Sequence, residues 1–269
     1  MYATRYVRPR TLDEAVAFLR DHPEARPLSG GMTLIPTLKQ RLAAPSHLVD
    51  LARLEALRGI TVTQGVLRIG AATRHAEIAH SPEVAQAIPA LSHLARLIAD
   101  PQVRNRGTLG GSLANNDPAA DYPSAVLGLN AAVLTTERAI AADDYFQGMF
   151  DTALQPGELI VAVEFPIARQ AGYLKHRHPA SGYAVTGVFI ARGDDGVRVA
   201  ITGAGPCVFR WREAEERLQR DFAERAIADL HLDPESLQGD VHAPQRYRAN
   251  LTEVYTRRLV GRMTSAPAC

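Results

Sequence analysis

Two glycine-rich segments hold the residues whose types and spacing could do chemistry. The first, Ser29-Gly30-Gly31-Met32-Thr33, follows a brief extended piece at 26–29 and precedes helix-like apolar spacing over 32–42. In a strand, glycine turn and helix, the glycines permit positive φ and let a bulky anion come close. The first helical amides are then unpaired donors carrying partial positive charge. The spacing reads as a pyrophosphate cradle and equally as an ordinary strand-to-helix turn, which mixed folds use often. The second segment, 104–121, combines the pair Gly110-Gly111 with the hydroxyls of Thr108 and Ser112, the amides of Asn115 and Asn116, and the carboxylates of Asp117 and Asp121. Such a loop offers donors to phosphates and acceptors to hydroxyls; an asparagine-rich surface turn is the competing reading.

Other reactive residues point to less. Cys207 and Cys269 lie far apart, which excludes a disulfide framework and a cysteine-ligated zinc or iron–sulfur site within the chain. None of the nine histidines falls in an H-x-x-x-H or H-E-x-x-H pattern; His176 and His178 alternate in a strand candidate and make a poor metal pair. Gly203-Ala204-Gly205 follows a strand candidate, but Val208 holds the third glycine position of a nicotinamide fingerprint and Pro206 removes an amide. Lys39 and Lys175 are the only lysines, and a strand lysine alone reads as a solvated face. Asp143 and Asp144 read as a helix start, and Tyr183, opening a strand, as packing.

The elements that must position these residues alternate irregularly. A capping box at Thr11 and Glu14 starts a helix to about Arg20. A buried strand at 47–51 and a hairpin at 60–63 and 66–69 follow. Helices are signalled at 73–78, from Ser81-Pro82, and over 89–99. The stretch 101–123, rich in Gly, Asn, Asp and Pro, has no apolar period, and an irregular stretch of that length inside a compact domain is functional or disordered. Beyond it come a short helix at 124–129, strands at 132–136 and 158–165, and a boundary near 166–172. Three strands at 173–178, 183–192 and 197–202 precede helices at 212–220, 222–230 and 244–263. Without a regular βαβα alternation or an internal repeat, the pattern predicts an α+β chain.

At 269 residues the chain can bury one large core or two modest ones. A net charge of +1 with dispersed arginines lacks the footprint of a nucleic-acid or anionic-membrane binder. The opening residues show no apolar core with a cleavage site, and no apolar run approaches the roughly 20 residues of a membrane span. A cytoplasmic location is the expectation.

Several segments in fixed order resemble the FAD-binding medium subunits of molybdenum hydroxylases, a family that includes the carbon monoxide dehydrogenase medium subunit and the flavin domain of xanthine dehydrogenase. They are Leu28-Ser-Gly-Gly-Met-Thr-Leu-Ile-Pro36, Leu48-Val-Asp-Leu51, Ile69-Gly-Ala71, Arg104-Asn-Arg-Gly-Thr-Leu-Gly-Gly-Ser-Leu113 and Asp117-Pro-Ala-Ala-Asp121, and the resemblance continues through Gly203-Ala-Gly-Pro206 to Asp240-Val-His242. It implies a two-lobed FAD-binding domain of the vanillyl-alcohol-oxidase/CO-dehydrogenase flavoprotein type at 1–167, with lobes at about 1–57 and 58–167. A smaller α+β domain with a three-stranded antiparallel sheet and helices would follow at 168–269. For the site it implies that Pro27, Leu28, Ser29, Gly30, Gly31, Met32, Thr33 and Leu34 hold the FAD diphosphate, Met32 through its backbone alone. Thr108, Gly110, Gly111 and Ser112, with Asn115 and Asp117, would form a second phosphate and ribose loop. Asp121 would accept from the flavin's sugar-alcohol chain, Ile160 would lie near the adenine or ring, Lys175 near the flavin edge, and Ile98 where relatives can carry an aromatic contact.

The resemblance further implies an electron-transfer role, with the molybdenum cofactor on a large partner subunit and [2Fe-2S] clusters on a small one, in a heterotrimer or its dimer. Two other readings are a free-standing FAD-dependent oxidoreductase with its own substrate pocket, for which no His, Cys or Tyr constellation stands out, and a flavin-less scaffold subunit.

Overall fold

A computed structural model of the chain describes residues 1–265. The N-terminal unit runs β1 (Arg5–Val7), α1 (Leu12–Asp21), β2 (Arg26–Leu28), α2 (Leu34–Lys39) and β3 (His47–Asp50). Its three strands form a parallel sheet in the order β1-β3-β2. The Thr11 half of the expected capping box is present, Glu14 N donating to Thr11 Oγ1 at 3.1 Å, a cap that contributes about 1 kcal/mol. The Glu14 carboxylate reaches one residue further back and accepts from Arg10 N at 2.7 Å rather than from Thr11 N. Ala15 and Leu19 on the inner face of α1 then pack with Val49, Leu54 and Leu57 in a small core of their own.

The central region opens with the hairpin β4 (Ile60–Thr63) and β5 (Val66–Gly70), followed by α3 (His75–His80), α4 (Pro82–Ala87) and α5 (Pro89–Arg96). Next come α6 (Pro101–Arg104), α7 (Leu109–Asn115) and α8 (Tyr122–Gly128), then β6 (Ala132–Thr135), β7 (Ala139–Ala141) and α9 (Ala142–Tyr145). A small hairpin, β8 (Phe146–Gly148) and β9 (Asp151–Thr152), leads to β10 (Ile160–Pro166). The five-stranded antiparallel sheet has the order β4-β5-β10-β6-β7. A register shift at the start of β10, between Ile160 and Ala162, is a bulge, the device that re-aims a side chain at a sheet rim.

The C-terminal region is a four-stranded antiparallel sheet, β11 (Gln170–Arg177), β12 (Ala184–Gly193), β13 (Gly196–Thr202) and β14 (Phe209–Arg210), with α10 (Arg212–Arg220) and α11 (Gln245–Ser265). Helices α5 and α8 cover one face and α10 and α11 the other. Because strand side chains alternate between faces, Phe189 and Ala191 join the central core while Val188 and Ile190 join the core under α11. That double burial is why β12 reads as a continuous apolar run.

Three sequence expectations are corrected. The stretch 101–123 is not irregular: α6 and α7 occupy much of it, capped by Asp100, whose carboxylate accepts from Val103 N at 2.8 Å, and by Thr108. Glycine and asparagine lower helix propensity but do not forbid a helix that is capped and packed. The C-terminal sheet has a fourth strand, too short for any periodicity to show. The helix expected at 222–230 is a single 3₁₀ turn, Glu224–Ile227, drawn in by the buried side chains of Ile227 and Leu230. Asp143, in the short α9, is also bound by ion pairs to Arg198 and Arg210. Cys269 lies outside the described residues.

Candidate cofactor cleft

The N-terminal unit and the central region meet at the two glycine segments, and their meeting is a matter of contact between backbones. A Cβ built on Gly30 would strike the carbonyl oxygen of Arg106 and come within 2.7 Å of Gly107 Cα. Only glycine permits that approach. Ser29 Oγ and Thr108 Oγ1 then share a hydrogen bond of 2.9 Å across the junction. Beneath it, residues 71–75 brace the second segment: Gly110 N donates to Ala71 O at 2.8 Å, Leu109 N to Thr73 O at 3.1 Å and His75 N to Gly107 O at 2.9 Å.

The junction forms the floor of a cleft of about 820 Å³, near the upper end of the roughly 300–1,000 Å³ typical of small-molecule sites. Every sequence-predicted cofactor-binding residue except Lys175 lines it. On one wall Gly31 has φ +72°, which turns the chain so that the amides of Gly30, Gly31, Met32, Thr33 and Leu34 find no acceptor among the described residues. Successive free amides of this kind make an anion-binding concavity. The opposite wall differs. The amides of Gly110, Gly111 and Ser112 are engaged by Ala71 O, Thr108 Oγ1 and Thr108 O, so this segment presents the side chains of Ser112, Asn115 and Asp117 instead. Asn116 adopts φ 42° and turns away: its buried amide nitrogen donates to Gly148 O at 2.8 Å and Asp151 O at 2.7 Å, tying down the β8–β9 hairpin.

Asp121 closes the inner end. Its carboxylate accepts from Lys175 Nζ at 2.8 and 3.0 Å and from Tyr173 Oη at 2.6 Å. Burial pushes its pKa up, against the lowering pull of Lys175 and Tyr173. Lys175 is thus no solvated strand lysine; its side chain is 2% exposed and stands behind Asp121 rather than on the cleft wall. Apolar lining comes from Leu28, Ile98 and Ile160, the last presented at the β10 bulge. His176, one of the weak metal pair, meets Tyr255 Oη at 3.2 Å, and no group of three potential metal ligands occurs among the described residues.

Two of the lining residues that sequence reasoning missed carry chemistry of their own, Tyr183 and His75. Tyr183 is 43% exposed and lines the cleft rather than packing inside the sheet. His75, at the start of α3, lines the cleft as well but is almost wholly buried. Burial and the nearby Arg104 lower its pKa to about 4, so it is neutral at pH 7. A lone histidine on an amphipathic helix carries no signal of this. The free amides, the polar wall opposite and the cleft's size fit an elongated anionic dinucleotide such as FAD.

Residues 2–168 match the family described as the FAD binding domain in molybdopterin dehydrogenase. The chain is 33% identical to the glyceraldehyde dehydrogenase medium chain of Sulfolobus acidocaldarius, over 93% of this chain and 95% of that one. It is 34% identical to the carbon monoxide dehydrogenase medium chain of Afipia carboxidovorans, over 96% of this chain and 95% of the relative. Among solved structures, a chain of reconstituted CO dehydrogenase from Oligotropha carboxidovorans superposes with a TM-score of 0.89 at 33% identity, covering 98% of both chains. With a glycine-loop cleft that fits the dinucleotide and similarity along nearly its whole length, the chain belongs to the FAD-binding medium subunits of the molybdenum hydroxylase family.

Proposed function

We propose that this chain holds FAD across the cleft and serves as the electron-relay subunit of a multi-subunit molybdenum hydroxylase. Electrons would pass between [2Fe-2S] clusters on a small partner and an external acceptor, and substrate would be oxidised at the molybdenum cofactor of a large partner, in a heterotrimer or its dimer. The observation that carries the reading is the run of open amides from Gly30 to Leu34 facing the polar wall of Ser112, Asn115 and Asp117. When bound, FAD supplies the redox chemistry; the chain supplies binding and orientation.

Each side chain has its part. The open amides neutralise the diphosphate, and Ser112 and Asn115 hydrogen-bond the adjoining sugar. Asp121 accepts from a hydroxyl of the sugar-alcohol chain, and Lys175, hydrogen-bonded to both of its oxygens, holds that carboxyl group in place. Ile98, Ile160 and Tyr183 give the apolar and aromatic surface against which a ring can lie. The chain divides near residue 167, with the flavin domain before it and the smaller sheet-and-helix domain after it. A cytoplasmic location accompanies this reading; no described helix is long and apolar enough to cross a membrane.

The test begins with the absorption spectrum of the purified chain and its titration with FAD. A flavin spectrum, retained or restored, is the expected result; a colourless protein that ignores added FAD overturns the reading. Affinity capture from the native host should then return a molybdenum-containing and an iron–sulfur chain. Substrate turnover by the isolated chain, with no such partners, would replace the relay with a free-standing flavin enzyme.

A further inference from the structure

Directly behind the crossing of the two glycine segments stands a polar group without a partner. A Cβ on Gly107 would lie 2.5 Å from His75 Nε2, and one on Gly30 would lie 2.7 Å from Gly107 Cα. Gly30, Gly107 and the imidazole are therefore stacked, with no room for a side chain between them. His75 Nδ1 is enclosed with no hydrogen-bond partner, as is the hydroxyl of Tyr122, whose ring lies 5.3 Å from the imidazole. Nε2 is in a different position: it is neither enclosed nor hydrogen-bonded, and His75 lines the cleft. A buried N–H without an acceptor costs more than a buried lone pair without a donor. The proton of the neutral ring therefore belongs on Nε2, at the edge open to the cleft.

We infer that His75 is a neutral hydrogen-bond donor to the dinucleotide, its Nε2–H serving a diphosphate oxygen where the two glycine segments cross. This rests on the reading of the cleft as an FAD site. It gives the diphosphate a side-chain donor on the floor to complement the backbone donors of residues 30–34, and gives the otherwise idle Nε2–H an acceptor. As an uncharged donor, His75 strengthens binding without adding positive charge next to Arg104.

The experiment compares FAD and ADP binding by the full-length apo chain, wild type against His75→Leu and His75→Gln. Gln can place an N–H near the position of Nε2; Leu cannot. Leucine should weaken both ligands by about tenfold to a hundredfold, the range for a hydrogen bond to a charged group, and glutamine should restore affinity to within about threefold of wild type. Equal binding by His75→Leu and wild type overturns the inference, and so does a loss confined to FAD with ADP unchanged. In the wild-type chain labelled with ¹⁵N-histidine, ADP should move the Nε2 resonance of His75 and leave Nδ1 unprotonated; an unmoved Nε2 overturns it even where the leucine variant fails to fold. A wild-type chain that binds FAD while these arms fail removes His75 alone, whereas one that binds neither ligand removes the cofactor site with it.

Discussion

The two glycine segments look alike in sequence and do opposite things. At 29–34 the backbone is held open, with a positive φ at Gly31 and amides left without acceptors. At 107–112 the backbone is closed on itself and on residues 71–75, and what faces the cleft is side chain. The glycines divide in the same way. Gly30, Gly107 and Gly110 permit one backbone to touch another element, whereas Gly31 sets a turn and Gly111 meets only Thr108 Oγ1, at 2.9 Å from a built Cβ. A glycine pair before a helix is thus not one motif with one function. What it offers a ligand depends on whether its amides are already engaged.

The sharpest way to break the comparison is at the end of the second segment. Asp121→Ala leaves the Lys175 charge buried without a partner and should cost about 3–5 kcal/mol in urea unfolding. Adding Lys175→Met should recover much of that loss; a double variant no more stable than the single one would mean the pair is not what holds this end of the cleft. Next in size is a pH effect at the floor. The pKa of His75 is lowered to about 4 in the folded chain from its ordinary 6.5, so the unfolded chain takes up its proton first as pH falls. The contribution is present in full above pH 6.5 and is lost on the way down to about pH 4, at most about 3 kcal/mol in all. His75→Gln should flatten the stability profile across that window, and an unchanged slope would assign it to other groups.

Gly30→Ala tests the crossing. Its methyl group cannot fit against Gly107, so about 1–3 kcal/mol of stability should be lost by overpacking, together with retained FAD. A variant that melts like wild type and keeps its flavin would show that the segments need not touch. The finest contrast sets Gly31→Ala against Gly111→Ala. The first imposes positive φ on a side chain, at roughly 1–2 kcal/mol, and re-aims open amides; the second should cost under about 1 kcal/mol. FAD titration of both should show the larger loss for Gly31. The reverse order would mean that the ligand rests on the backbone of the second segment after all.

Much of the framework was legible in the sequence. The Thr11 cap, the 60–69 hairpin and the apolar runs of β3, β12 and β13 declare themselves through local chemistry and period, which their tertiary surroundings reinforce. Elements whose stability comes from outside them were not legible. Helix α7 is built of Leu-Gly-Gly-Ser-Leu-Ala-Asn and exists because Thr108 caps it and residues 71–73 hold its first turn. Strand β14 is two residues on the edge of a sheet. In the site, residue types marked the lining well, since glycines, hydroxyls and acids in one stretch are unusual. Direction was not marked: Asn115 and Asn116 are identical in sequence, yet one faces the cleft and the other staples a hairpin. Nor could any spacing tell that Lys175 stands behind Asp121, or that His75 Nδ1 is enclosed without a partner while Nε2 stays open.

The bond between Ser29 and Thr108 joins residues 79 positions apart, and this has a kinetic meaning. A floor built from distant parts of the chain cannot exist until the long loop between them has closed, a step slowed by the entropy of bringing far-separated segments together. Flavin therefore has no half-formed site to enter along the way. It loads onto a finished framework, and the appearance of bound flavin during refolding times the end of assembly rather than its beginning.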